Sequence, residues 1–149
     1  MNNKTKLHMS TDEFRKAGYK AIDWIADYYE KIEDYPVMSQ LSPNEIINNL
    51  PDNPPIEGKK FDDILKDMDL LMNGITHWQS PNFHAFFPCS TSGPGILGDL
   101  LSTGLAVNGM NWITSPSATE LEIHMLDWLV KMLDLPEYFL SSSSGGGAI

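Results

Sequence analysis

Apolar positions recur at steps of three and four through Phe14, Ala17, Ala21, Ile25, Tyr28 and Ile32, while Arg15, Lys16, Asp23 and Asp27 fall between them. That spacing predicts an amphipathic helix to about Glu33, stopped by Pro36. Its start is marked by Ser10-Thr11-Asp12-Glu13, a capping box in which the Ser10 hydroxyl and the Glu13 carboxylate each satisfy an N–H of the other residue. A second box, Ser42-Pro43-Asn44-Glu45, predicts a short helix closing near Leu50, with proline where a missing N–H costs nothing. Pro51, Pro54 and Pro55 then make an extended connector. Phe61 to Met72 predicts a third helix, with Phe61, Ile64, Leu65 and Met68 on one side and Asn73-Gly74 as its stop.

The pattern changes at Ile75. From there to Gly95 the chain is aromatic, holds Pro81, Pro88 and Pro94, and follows neither period, which suits an ordered loop lining something. Helix returns from about Gly95 to Ala106, nearly all apolar, so it wants cover on most of its surface. After an irregular stretch, Ser117-Ala118-Thr119-Glu120 reads as a third capping box for a helix Ala118 to Leu133, with Leu121, Met125, Trp128, Leu129 and Met132 turned inward. Five helices and no convincing strand result, without internal repeats. The apolar surface of Leu97, Leu100, Leu101, Leu105, Trp78, Phe83, Phe86 and Phe87 exceeds what such helices readily bury, and patches of that kind mark interfaces or missing partners.

Composition narrows the function classes. Twenty acidic against ten basic residues give a formal net charge of −10, which repels phosphate backbones and anionic lipid, so nucleic acid and membrane surfaces are poor partners. The single cysteine, Cys89, cannot form an internal disulfide, which fits a reducing, cytoplasmic setting. The polar start of the chain lacks a signal-peptide core, and no apolar run nears the roughly 18 residues of a membrane span. His77 and His84 stand seven apart, and His8 and His124 fall in other elements, so no metal site is expected. Ser92-Gly93 lacks the upstream glycine of a serine-hydrolase elbow. Phe86 and Phe87 are open to two readings, core or pocket wall. Ser141 to Ile149 is likewise either a flexible linker or a turn entering a further element.

Two runs carry a family resemblance. Thr76-His77-Trp78-Gln79-Ser80-Pro81-Asn82-Phe83-His84-Ala85-Phe86-Phe87-Pro88 and Gly109-Met110-Asn111-Trp112-Ile113-Thr114-Ser115-Pro116-Ser117-Ala118-Thr119-Glu120-Leu121-Glu122 resemble segments of group II pyridoxal-phosphate-dependent decarboxylases, the aromatic-amino-acid, tyrosine and histidine decarboxylases. Asp127 to Leu133, the Glu13-Phe14-Arg15 helix and the closing Gly145 to Ile149 match in order. The resemblance implies a mainly α segment: a disordered start (1–9), an N-terminal helical dimerisation flap with the substrate-pocket loop (10–90), and the opening helices of a fold type I pyridoxal-phosphate-binding large domain (91–149), left incomplete.

It further implies a homodimeric parent that decarboxylates aromatic L-amino acids to amines. The Schiff-base lysine and the other catalytic groups would lie outside this segment, which alone is expected neither to bind the cofactor nor to catalyse. Trp78, Phe86, Phe87 and Pro88 match pocket-wall positions. Cys89 stands where mammalian relatives carry a threonine facing the ring, and a thiol is the weaker hydrogen-bond partner. Asn108 and Met110 occupy positions that are usually apolar and aromatic and that reach the neighbouring subunit's pocket. Tyrosine, DOPA, tryptophan, phenylalanine and histidine all stay open as substrates. The competing expectation is a self-contained helical protein–protein interaction module.

Overall fold

The computed structural model describes residues 9–87 and 91–146, which fall into two compact units, 1–90 and 91–149. Among the described residues there are four α-helices and no strand: α1 (Thr11–Glu30), α2 (Phe61–Met72), α3 (Gly93–Leu105) and α4 (Pro116–Met132). Single 3-10 turns lie at Ile32–Asp34, Ile47–Asn49 and Glu137–Phe139.

In the first unit the capping box that opens α1 is complete. The Glu13 amide donates to Ser10 Oγ at 3.2 Å and the Ser10 amide to the Glu13 carboxylate at 2.8 Å. Asp12 and Glu13 in the first turn also face the positive end of the helix dipole. α1 packs on α2, and the buried residues are Ala17, Ile32 and Met72 with the polar His77 and Ser80. The predicted stripe is thus only partly covered: Ala21, Ile25 and Tyr28 are half-buried, whereas Phe14 at its N-terminal end is exposed. Lys20 of α1 pairs with Asp62 of α2, and this ammonium holds the Asp62 carboxyl below its ordinary range.

The second expected helix is not formed. Glu45 still reaches back to the Ser42 amide, 3.0 Å away, but Asn44 takes a positive φ of 71°. A left-handed residue breaks the helical run, and only the turn Ile47–Asn49 remains. Gly74 allows Ile46 of this segment to sit close, since a Cβ there would stand 3.2 Å from the Ile46 side chain. Residues 51–60 are exposed throughout.

In the second unit Ser92 caps α3 through the Gly95 amide at 3.2 Å, two residues ahead of the expected start because Pro94 fits the first helical turn. Ala106 closes α3 in the left-handed region at φ 50°. The start of α4 also corrects the sequence reading. Its cap is Ser115, which accepts from the Ala118 amide, and not Ser117. Glu120 is engaged elsewhere: its carboxylate accepts from the Trp112 indole at 2.7 Å. Leu121, Met125, Trp128, Leu129 and Met132, expected inward, are all exposed, as are Leu97, Leu100, Leu101 and Leu105 of α3. Neither helix has a buried residue. α3 is apolar nearly all round and α4 carries an apolar stripe, and among the described residues neither is covered within its own unit.

Candidate functional site

The aromatic loop is built from consecutive turns. The Trp78 amide donates to the Thr76 carbonyl, the Ser80 amide to the His77 carbonyl and the Phe83 amide to the Ser80 carbonyl, each at 3.0 Å. Ser80 Oγ, buried beneath the loop, accepts from the Asn82 amide at 3.3 Å. This winding brings Trp78 against Phe83 with ring centroids 4.7 Å apart, and within 6.3 Å of Phe86. Trp78 and Phe83 are half-buried. Phe86 is 70% exposed and Phe87 91% exposed, so these two are not core. The loop presents an aromatic face whose outer members have no cover within the unit.

Behind that face lies His77, 1% exposed. Its amide donates to the Val37 carbonyl at 2.9 Å, and its ring donates to the Met72 carbonyl. Nδ1 stands 3.0 Å from the Tyr28 hydroxyl, and the ring stacks on Tyr35 at 4.7 Å. Burial pushes the imidazole below its ordinary value near 6.5, against the smaller opposing effect of the Met72 carbonyl. The neutral ring, one nitrogen donating and Nδ1 accepting, matches both partners. The Tyr28 phenol is raised, first by burial and then by the neighbouring Tyr29 and Tyr35.

Of the other expected site residues, Pro88 and Cys89 lie outside the described residues. Asn108 and Met110 fall in the second unit, both exposed, where Asn108 Oδ1 accepts from the Met110 amide at 3.1 Å and fixes a tight turn. Sequence reasoning missed His77 as a buried anchor, and it missed Asp127. The Asp127 carboxylate accepts both from the Ser141 amide and from Ser141 Oγ, each at 2.7 Å. These bonds, the backbone one first, hold Asp127 below the usual carboxylate range. The Ser/Gly run is thereby fastened to α4. Within it Gly146 admits no side chain, since a Cβ would fall 1.9 Å from the Leu140 carbonyl oxygen, and a Cβ at Gly145 would require the Tyr138 ring to move. No local signal marked His77, since its partner Tyr28 lies forty-nine residues away.

Comparison with known proteins gives the family. The pyridoxal-dependent decarboxylase conserved domain matches residues 43–149. The chain belongs to the pyridoxal-dependent decarboxylase family. Among its relatives in this family, phenylacetaldehyde synthase of Petunia hybrida is 49% identical over 98% of the chain, and tyrosine decarboxylase 2 of Narcissus pseudonarcissus 47% identical over 95%. Two solved structures superpose closely. Rhodiola rosea 4-hydroxyphenylacetaldehyde synthase gives a TM-score of 0.89 at 44% identity over 94% of this chain. Catharanthus roseus tryptophan decarboxylase with L-tryptophan gives 0.87 at 43% over 93%. The chain spans 29% and 28% of the two relatives' lengths, and 30% of each solved chain.

The family is pyridoxal-dependent, but the described residues do not by themselves form a holder for that cofactor. No described lysine is buried. Lys16, Lys20, Lys59 and Lys66 pair with exposed aspartates, whereas a Schiff-base amine needs desolvation or a cationic neighbour to be neutral. The Ser141 donors, which would suit a phosphate, are spent on Asp127. Among the described residues no cluster could hold a metal ion, and no helix is long and apolar enough to cross a membrane.

The burial of His77 carries a pH dependence. Its folded value lies below its unfolded one, so on acidification the unfolded chain takes up a proton first. Stability is therefore full above about pH 6.5, falls as pH drops below that value, and levels off below the folded value. Melting temperature followed by circular dichroism should decline from pH 7 to pH 5, and His77→Gln should remove part of that decline. An identical slope in the variant would mean that His77 is not buried neutral.

Proposed function

We propose that the protein containing this chain is a pyridoxal-phosphate-dependent decarboxylase of aromatic L-amino acids, releasing carbon dioxide and the amine. The chain's own part is to wall the substrate ring. The observation that carries this reading is the aromatic loop in which half-buried Trp78 and Phe83 pack together beneath the exposed Phe86 and Phe87, in a member of this family. Flat rings on a fixed backbone bury an aromatic side chain at little entropic cost and keep water from a developing carbanion. On this reading Pro88 and Cys89 continue the wall, and Asn108 and Met110 reach the pocket of a second copy of the chain. Residues 10–90 serve as helical flap and pocket loop, and 91–149 as the opening of the cofactor-binding domain. The isolated chain is inactive on this reading, since no described lysine is placed to carry the cofactor.

A second product has support from the relatives. Phenylacetaldehyde synthase and 4-hydroxyphenylacetaldehyde synthase are named for aldehydes, which makes an aldehyde the second product to test. Assaying the whole protein on phenylalanine, tyrosine, DOPA and tryptophan, with amine and aldehyde measured separately, tests both. Carbon dioxide with amine is expected. Aldehyde in place of amine selects the second reading, and no carbon dioxide from any of the four overturns both. In the whole protein Trp78→Ala should raise KM several-fold, the consequence of losing about 1 kcal/mol of ring contact, and leave cofactor absorbance unchanged. An unmoved KM would return Trp78 to a purely architectural part.

The partner proposed is a second copy of the chain, paired through α1, whose Phe14, Tyr19 and Ile22 are exposed. Closed two-fold pairing is the commonest assembly of such faces. Light scattering should find a dimer that Ile25→Asp weakens. A monomer at high concentration, indifferent to that substitution, would overturn the pairing.

A further inference from the structure

His77 immediately precedes Trp78, and every polar group it owns is committed. The amide goes to Val37, on the segment after α1. The ring goes to the Tyr28 hydroxyl of α1 and to the carbonyl of Met72, the last residue of α2. The carbonyl accepts from Ser80 and so opens the turn that carries Trp78. An apolar residue could fill the same space, and would do so without the desolvation cost of a buried imidazole. What it could not do is add, to the backbone bond that any non-proline residue would make to Val37, directional side-chain bonds to α1 and to the end of α2. Aromatic contacts reinforce the tie: Tyr28 and Tyr35 both touch the His77 ring, with centroids 5.6 and 4.7 Å away.

We infer that His77 is a positioning residue for the aromatic wall, fixing the Trp78 indole against Phe83 through its bond to Tyr28. The inference rests on the reading of Trp78 as a substrate wall, and it adds a specific device. The hydroxyl of Tyr28, a residue of α1 remote from the ring face, sets the stance of that face. A shift of α1 is therefore transmitted to the wall through the Tyr28–His77 hydrogen bond and ring contact.

Tyr28→Phe is the decisive variant, because it removes only the hydroxyl and keeps the ring packing, so the chain should still fold. Nuclear magnetic resonance of the 149-residue chain reads the outcome through the Trp78–Phe83 ring contact and through amide exchange at Ser80 and Phe83. Tyr28→Phe should weaken the ring contact and speed exchange at those two amides about tenfold, the effect of losing one buried hydrogen bond. Exchange in the middle of α2, at Leu65, should stay within twofold. His77→Phe, which removes the bond to Tyr28 and the one to the Met72 carbonyl, should do at least as much, and the double variant no more than His77→Phe alone. His77→Gln, which keeps a donor and an acceptor, should restore part of the contact. An intact Trp78–Phe83 contact in Tyr28→Phe overturns the inference, as does uniform acceleration at Leu65, which marks general loosening. KM of the whole protein separates the two ideas. A disturbed contact with unchanged KM leaves His77 as positioner and removes the substrate wall, while an undisturbed contact removes the positioner whatever KM does.

Discussion

Five described side chains are withdrawn from water, Ala17, Ile32, Met72, His77 and Ser80, and all belong to the first unit. A core of three small or medium apolar groups supplies little of the burial that ordinarily holds a domain together. The unit therefore depends on the one place where directional bonds converge. At His77 the end of α2, the segment after α1 and the α1 phenol meet around a neutral imidazole. The cost of burying that ring is offset only while each of its nitrogens has a partner, which makes the geometry all-or-none and not gradually deformable. The turn carrying Trp78 begins at its carbonyl and the next, from the Ser80 carbonyl, carries Phe83, so the ring face inherits the order of this point.

The second unit uses a different device at a smaller scale. Asp127, one of the last residues of α4 on its way to the turn at Glu137–Phe139, takes two hydrogen bonds from Ser141. Charge-assisted bonds of this kind are about twice as strong as neutral ones. They hold the Ser/Gly run in one path despite its flexible composition, and Tyr138 lying over Gly145 closes that path from the other side. Reading such a run as a loose linker fails because composition alone does not register a carboxylate fourteen residues away.

Local chemistry foretold the local structure. The Ser10 box, the limits of α2 and the departure from regular structure after Ile75 follow from caps, period and proline. The misses have identifiable causes. Asn44 is as compatible with the first turn of a helix as with a left-handed bend, and only its neighbours' packing selects the bend. For α4, two serines in Ser115-Pro116-Ser117 compete as caps, and the proline decides for the first. In the site, the aromatic character of Trp78 to Phe87 was open to inspection, but the role of His77 was not. Its partner Tyr28 is forty-nine residues away, and no periodicity encodes such a pairing. The family resemblance added what no residue pattern supplied, and the pyridoxal-dependent decarboxylase match over residues 43–149 agrees with it.

The bareness of α3 and α4 has a consequence for the life of the polypeptide in a cell. Chains emerge from the ribosome at roughly 5–20 residues per second, and helices bearing Leu97, Leu101, Leu105 and Met132 present bare apolar surface as they emerge. Holdase chaperones recognise such stretches, and sticky encounters between nascent copies compete with them. Those leucines and that methionine are therefore the positions at which a polar substitution would first alter the abundance of the newly made protein, by removing apolar surface that chaperones and other nascent copies can bind.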